Sequence, residues 1–488
     1  MFYFTLATAF GQPVRKPRHL LPVTTVGPRR SRCRTPAATA TGYSRDQGRF
    51  DDMFALLRQR NFGYIWVGGL VSLVGDWMLL TALPVYVYQL TGSTLATGAM
   101  LAARVVPRIL LGSVAGVFVD RWDRRQTLIV ANLLLAVGLL PLLLVSSGQE
   151  LWLVYLIAFV QSAMAQFVTP ALGALLPHLV AERELLRANS LNALSNDISR
   201  LVGPALGGIV VASSGLAGVA MLDSVSFALA AGMAALTRVA TPPSKASISP
   251  VPRRTTTSVW PNAAHQWLEG LRQVPRSPVL TVLFSFLAIS AIGEGVMGSL
   301  FAPFVSAVLG GDAPAYGWIV SSQAIGGIAG GLLVGWRGTI VSPVRLVGAG
   351  ALGLCIFDLM TFNYHVVRPC IWPAIVFMAI VGVPIAGMVA GLTTLMQSAT
   401  EDAYRGRILG AFGAVGALST FLGALLGGLL GDRVGIVTML NIQGLGYGTA
   451  GMIVLIALRG VPATRCEASS LPTQESRAGH LTSDAKPS

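Results

Sequence analysis

The stretch GYIWVGGLVSLVGDWMLLTALPVYVYQL, Gly63 to Leu90, is 28 residues long and carries one formal charge, Asp76. About 20 apolar residues in a helix cross the ~30 Å hydrocarbon core of a bilayer, so this run is long enough to span one. A charge near the centre of such a span costs several kcal/mol unless it is paired or neutralised. Asp76 is therefore a candidate functional group from the outset. Runs of the same kind recur along the chain: 53% of its 488 residues are hydrophobic and only 11% charged, against roughly 25% charged in a soluble domain. The chain reads as an all-α membrane protein with many spans.

Twelve helices are expected, near 63–89, 96–119, 127–146, 151–174, 191–212, 216–237, 279–308, 317–336, 344–362, 370–396, 408–430 and 436–458. They divide into a six-helix half over 54–237 and another over 277–458, joined by a polar, Pro/Ser/Thr-rich linker at 238–276. Residues 1–53 form a Pro-, Thr- and Arg-rich tail and 459–488 a polar one, and both have the composition of disordered segments. The first tail also has features of a targeting sequence, or of residues upstream of a true start at Met53.

The net charge of +14 raises the question of nucleic acid. Residues 1–50 hold nine Lys or Arg against Asp46, a net +8, which leaves +6 for the body. There the basic residues lie between apolar runs, where loop orientation explains them without a nucleic-acid partner. Arg121, Arg124, Arg125, Arg183, Arg187, Arg238, Lys245, Arg253, Arg254, Arg272, Arg276, Arg337, Arg345, Arg405 and Arg407 fall on one side, and only Arg368 and Arg433 on the other. Both termini are expected in the cytoplasm, and the cell (inner) membrane is the expected location. Cys33, Cys355, Cys370 and Cys466 have no metal-ligand spacing, and no metal or other cofactor is expected.

Six helices, a linker and six helices suggest a duplication. SLVGD at 72–76 corresponds to SAIGE at 290–294, and GPALGG at 203–208 to GALLGG at 423–428. Arg187 corresponds to Arg407 at the same separation as the second pair. Pseudo-symmetric halves of this kind place a substrate site between them, near the midplane.

The loop GVFVDRWDRRQTL, Gly116 to Leu128, resembles the signature between helices two and three of the major facilitator superfamily. Gly116, Asp120, Arg121, Arg124 and Arg125 match it, with Asp123 where the general pattern has Gly. The variant with this second Asp is similar to that of bacterial drug:proton antiporters, a subgroup that includes macrolide and siderophore exporters. Asp120 can pair with the neighbouring guanidinium groups or cap a helix N-terminus of the other half. The resemblance implies a cytoplasmic latch.

RLVGPALGG resembles the helix-five motif of the same antiporters, with Ser199 where they carry Gly. Gly203, Pro204, Gly207 and Gly208 free one face for close helix approach. The resemblance extends through LRQRNFGYIWVGGLVSLVGDW, PHLVAERELLRANSLNAL and YRGRILGAF, covering about 54 to 460.

Asp76 lies roughly 21 Å along its helix at ~1.5 Å per residue, and Arg108 and Arg104 lie about 18 and 24 Å deep on the next. A buried pair or triad is expected, either permanent or broken during a transport cycle. Glu294 stands at similar depth in the second half. Asp197 and Arg200 are placed to pair with each other, and Asp223, about 10 Å from the outer edge, to snorkel. Gln161, Gln166 and Gln323 either line the cavity or bond between helices.

The sequence holds no nucleotide-binding loop and no catalytic constellation, so an enzyme is not expected. The expectation is a monomeric, proton-coupled secondary transporter that exports small amphipathic compounds. The alternatives are a dedicated metabolite or siderophore exporter, or a non-transporting membrane sensor.

Overall fold

Serine and proline start several of the helices. Ser277 and Ser342 each accept the backbone N–H three residues on, from Leu280 and Arg345, and each is followed by Pro at the first turn, where its missing N–H costs nothing. In the computed structural model the residues described are 55–112, 115–119, 121–238, 269–337, 341–368, 370–400 and 404–459. The tails expected at 1–53 and 459–488, apart from Arg459, and most of the 238–276 linker lie outside them, as does Asp120.

The helices are α1 (Arg60–Thr91), α2 (Thr94–Leu111), α3 (Ala115–Val119), α4 (Arg124–Gly138), α5 (Leu151–Leu179) and α6 (Leu185–Leu236) in the first half. The second half contains α7 (Pro278–Pro303), α8 (Ala313–Arg337), α9 (Pro343–Asn363), α10 (Trp372–Ala399), α11 (Arg405–Val434) and α12 (Ile436–Ala457). No strand occurs among the described residues. The third span changes from α4 to a 3-10 turn at Leu140–Leu144, because Pro141 cannot donate to the helix ladder.

Eleven of the segments have the length and composition to cross a membrane, and one of them, Glu182–Leu236, runs to 55 residues. It contains two crossings, because Gly215 has φ 65° and breaks the helix into two arms. A residue with a Cβ resists that conformation. Gly435, with φ 101°, makes the corresponding corner between α11 and α12. Among the described residues there are thus twelve membrane-length arms, the number expected, and the two corners sit at the same separation as Gly203 and Gly423.

Packing follows the duplication. In the first half α1 lies against both arms of α6; in the second α7 lies against α11 and α12. Between the halves, α2 packs on α11 and the first arm of α6 on α8. Large apolar side chains such as Val130, Leu144, Leu332 and Ile356 are exposed on the outside, as a lipid-facing surface requires. The helix ends that carry the arginine-rich loops are called the basic ends below, and the opposite ends the far ends.

Candidate functional site

The Asp76 carboxylate accepts a hydrogen bond from Gln161 Nε2 of α5 at 2.8 Å. This neutral amide, rather than an arginine, is its direct partner, so the buried ion pair expected with Arg104 or Arg108 is not formed. Arg104 stays close enough for its charge to act on Asp76, and Arg108 close enough to act on Arg104. One guanidinium nitrogen of Arg104, Nη1, is buried without a hydrogen-bond partner.

Asp223 completes the group, and the snorkelling expected of it is overturned. Its side chain is wholly buried (0% exposed) on the second arm of α6, with Ser226 Oγ donating to it at 3.1 Å. It lies against Gly75, the residue before Asp76, and its charge acts on both Asp76 and Arg104. Two acids and two arginines from three helices, with one glutamine, thus share one region of the first half. Depth along the sixth helix alone placed Asp223 near the edge. The signal pointing inward was Gly75, whose lack of a side chain leaves room for a neighbour beside Asp76.

The helix-five motif abuts this turn of α1. Gly203 faces Val74 and Trp77, and Gly207 faces Met78, so closely that a Cβ on Gly207 would lie 2.7 Å from the Met78 carbonyl oxygen. On its other face the motif meets the second half: Gly208 lies against Ala313 and Pro314 of α8, and the Pro204 carbonyl against Gly317. Ser199, where the resemblance calls for Gly, is buried and returns its hydroxyl to the Ser195 carbonyl at 2.7 Å.

Further contacts cross between the halves along the same seam. Arg200 Nη2 donates to Gln323 Oε1 of α8 at 2.8 Å, and the Ala205 amide to Ser321 Oγ at 3.0 Å. The expected Asp197–Arg200 pair gives way to this bond. Gln161 and Gln323 therefore bond between helices, whereas Gln166 donates to the Ser162 carbonyl of its own helix. On the second seam, Thr94 Oγ1 donates to the Gly428 carbonyl at 2.9 Å and the Thr94 amide reaches the Asp432 carboxylate at 3.3 Å. Both seams run from mid-span toward the far ends. A cleft of about 190 Å³, lined by Asp312, Trp318, Ile371 and Trp372, lies at the far ends of α8 and α10, away from Asp76.

At the basic ends the described part of the loop motif holds its own half together. Gly116 lies in α3. Asp123 caps α4 by accepting the Gln126 amide at 2.8 Å. Arg125 donates to the Ala234 and Ala235 carbonyls at the end of α6, where a cation meets the negative end of the helix dipole. Arg124 meets His178 of α5, and Trp122 stacks on Phe167 with ring centroids 6.0 Å apart. Asp120, the residue expected to latch onto the other half, lies outside the described residues. Glu294 is half-buried on α7, and its charge is not among those acting on Asp76, Asp223 or Arg104. No group of three metal-ligating side chains occurs among the described residues.

The fold resembles solved transporters of low sequence identity. A bacterial homologue of the iron transporter ferroportin in an inward-facing state aligns with a TM-score of 0.64 at 14% identity, over 82% of this chain and 98% of that one. A bacterial homologue of the human lysosomal transporter Spinster aligns with a TM-score of 0.58 at 13% identity, over 81% and 95%. Among sequences, macrolide efflux protein A of Streptococcus pyogenes is 26% identical over 378 residues, 77% of this chain and 90% of that protein. Enterobactin exporter EntS of Salmonella choleraesuis is 24% identical over 404 residues, 81% and 92%. The family model described as transmembrane secretion effector matches residues 52–482. The chain belongs to this family of the major facilitator superfamily, a family of multi-pass membrane transporters and not of enzymes.

Proposed function

We propose that the protein exports small amphipathic compounds across the cell membrane in exchange for protons. Its halves rock so that a site between them faces one side and then the other. Asp76 is the proton-carrying group, Arg104 and Arg108 are its counter-charges, and Glu294 is the corresponding acid of the second half. Asp120, with Arg121, Arg124 and Arg125, latches the basic ends when the far side is open. The positive-inside bias puts those ends, and both termini, in the cytoplasm, and one chain suffices for the cycle.

The observation that carries the reading is the bonding of Asp76. A carboxylate locked to an arginine has little reason to change protonation. One held by an amide, with an unpaired counter-charge nearby, has two protonation states that a conformational change can exchange. Close helix approach at Gly203, Gly207 and Gly208 couples that turn of α1 to the seam with α8. Two relatives named for outward movement of a compound, a macrolide efflux protein and an enterobactin exporter, support the direction. The second of these also supports a narrower reading, export of one dedicated siderophore-like metabolite.

Everted membrane vesicles energised by a proton gradient test both. A panel of macrolides, cationic dyes and a catecholate siderophore is offered to the parent and to Asp76→Asn. Gradient-driven accumulation of several amphipathic compounds is expected in the parent, falling about tenfold or more in the variant. Equal accumulation by both sinks the role of Asp76, and accumulation of the catecholate alone moves the assignment to the dedicated exporter.

A further inference from the structure

The second half contains a buried acid that this scheme does not use. Asp358 of α9 is 3% exposed and accepts a hydrogen bond at 3.0 Å from Nε2 of Gln443, itself 4% exposed, on α12. The Gln443 amide oxygen Oε1 is buried and has no hydrogen-bond partner. No Lys, Arg or His lies in the interior of α7 to α12; the nearest basic residue before Asp358 on α9 is Arg345, about 20 Å away at ~1.5 Å per residue.

A bare carboxylate in such surroundings is costly. The acid form resolves both deficits at once. In an acid–amide pair, Nε2 donates to one carboxyl oxygen while the carboxyl O–H donates to the amide oxygen, which supplies the donor Gln443 Oε1 lacks. The surroundings offer no competing charge. Tyr447 of α12, whose phenol lies against the Gln443 side chain, and Cys355 of α9 itself are neutral groups, and α10, packed along α9, carries no titratable side chain. His365, beyond the end of α9, is turned toward the Phe362 carbonyl and the Phe304 ring.

Polar side chains recur between α9 and α12 toward the far end. Asn363, the last residue of α9, and Asn441 of α12 exchange two amide hydrogen bonds at 2.7 and 3.0 Å where the helices are exposed. Asp358 and Gln443 follow inward between the same two helices. Gln443 and Tyr447 then lie against Gly293 of α7, whose next residue is Glu294. Position also singles out the pair: Gln443 stands where the duplication separation used above places Asp223 in the first half.

We propose that Asp358 and Gln443 form a second proton-binding site, loaded from the far side between α9 and α12 past Asn363 and Asn441. On loading, a carboxylate oxygen of Asp358 takes a proton from water and donates it to Gln443 Oε1. On unloading, the proton returns to water and the carboxylate keeps the Gln443 N–H. As a contribution to exchange the site rests on the proton-coupled reading; as a site that holds a proton it stands without it.

Infrared difference spectra of the full chain in lipid nanodiscs, recorded over a pH series in H₂O and D₂O, test the site directly. Of the deuterium-sensitive carboxylic C=O bands of the parent, one is expected to persist in Asp76→Asn and to be lost in Asp358→Asn. In Gln443→Met the band keeps its intensity and shifts in frequency, because the acid loses its amide partner. If the band that persists in Asp76→Asn is undiminished in folded Asp358→Asn, the assignment is overturned, and so it is if that band is unshifted in Gln443→Met. Proteoliposomes then separate the two readings. A parent that moves protons with substrate is expected to move fewer per substrate after Asp358→Asn, and an unchanged ratio removes the site from the cycle. A parent with no proton flux sinks the coupling reading and leaves the infrared result to decide the site.

Discussion

The two halves share a backbone plan and differ in how they carry charge. Gly215 and Gly435 turn the chain at matching corners, and Gly75 and Gly293 each receive a polar residue of the last helix of their half, Asp223 in one and Gln443 in the other. Yet the first half surrounds its acids with Arg104 and Arg108, whereas the second keeps Asp358 against an amide. The counterpart of α2 in the second half, α8, has no basic side chain before Arg337. Duplication has preserved what backbone geometry demands, namely corners and close approaches. It has left the charged side chains free to diverge: one half gathers two acids and two arginines, and the other sets Asp358 against an amide.

If that contrast is right, removing one partner has unequal effects. Arg104→Ala takes a nearby counter-charge from two buried acids without breaking a direct pair, and should cost about 2–4 kcal/mol, toward the low end of the penalty for uncompensated buried charge. Gln443→Leu removes an amide from a neutral acid and should cost about 1–3 kcal/mol. Thermal unfolding of the two variants in the same detergent measures the difference. Equal losses would mean that the halves are not electrostatically distinct.

The seam offers the next test. Gln323→Leu deprives Arg200 of its acceptor across the halves, a charged hydrogen bond worth about 1.5–3 kcal/mol. Because this bond joins the halves at the inner end of the seam that runs to the far ends, the variant should open that side more often. Faster labelling of a reporter cysteine at Ser93, beside the second seam, by a membrane-impermeant maleimide would register the opening. Gly98→Leu should act in the same direction on the second seam, since a Cβ there lies 2.7 Å from the Ala424 carbonyl oxygen and 2.8 Å from the Gly428 Cα. Overpacking of this kind costs about 1–3 kcal/mol. Labelling that changes for one seam and not the other would show that the seams close independently.

The class of fold and its twofold plan were readable from the sequence, because apolar length and the placement of arginines between runs are one-dimensional features. So was the nearness of Asp76 and Arg104, since helical rise puts the two at similar heights on successive helices. Partners were harder. Whether Asp76 meets Arg104 or Gln161 depends on rotation of α1 against α5, which depth does not encode. Asp223 was misjudged for the same reason: distance from a helix end says nothing about which neighbour covers that face. Asp358, the one formal charge between Arg345 and Arg368, gave the same kind of signal as Asp76, but its partner appears only when α12 brings Gln443 against it.

The smallest effects should lie in the loops at the far ends, where the halves again use different devices. Between α4 and α5, the Glu150 carboxylate accepts the Ser146 amide at 2.9 Å and the Ser147 amide at 2.7 Å, closing a capping box at the start of the span. Between α9 and α10, the Tyr364 hydroxyl donates to the Cys370 carbonyl at 2.5 Å. One loop therefore depends on a carboxylate and the other on a phenol. Glu150→Ala should speed hydrogen exchange at Ser146 and Ser147 severalfold and leave the Tyr364–Cys370 loop untouched; Tyr364→Phe should do the reverse. Neither loop touches Asp76 or the Asp358 pair, so both variants should transport like the parent. A transport defect in either would mean that the far-end loops move with the seam rather than merely joining its helices.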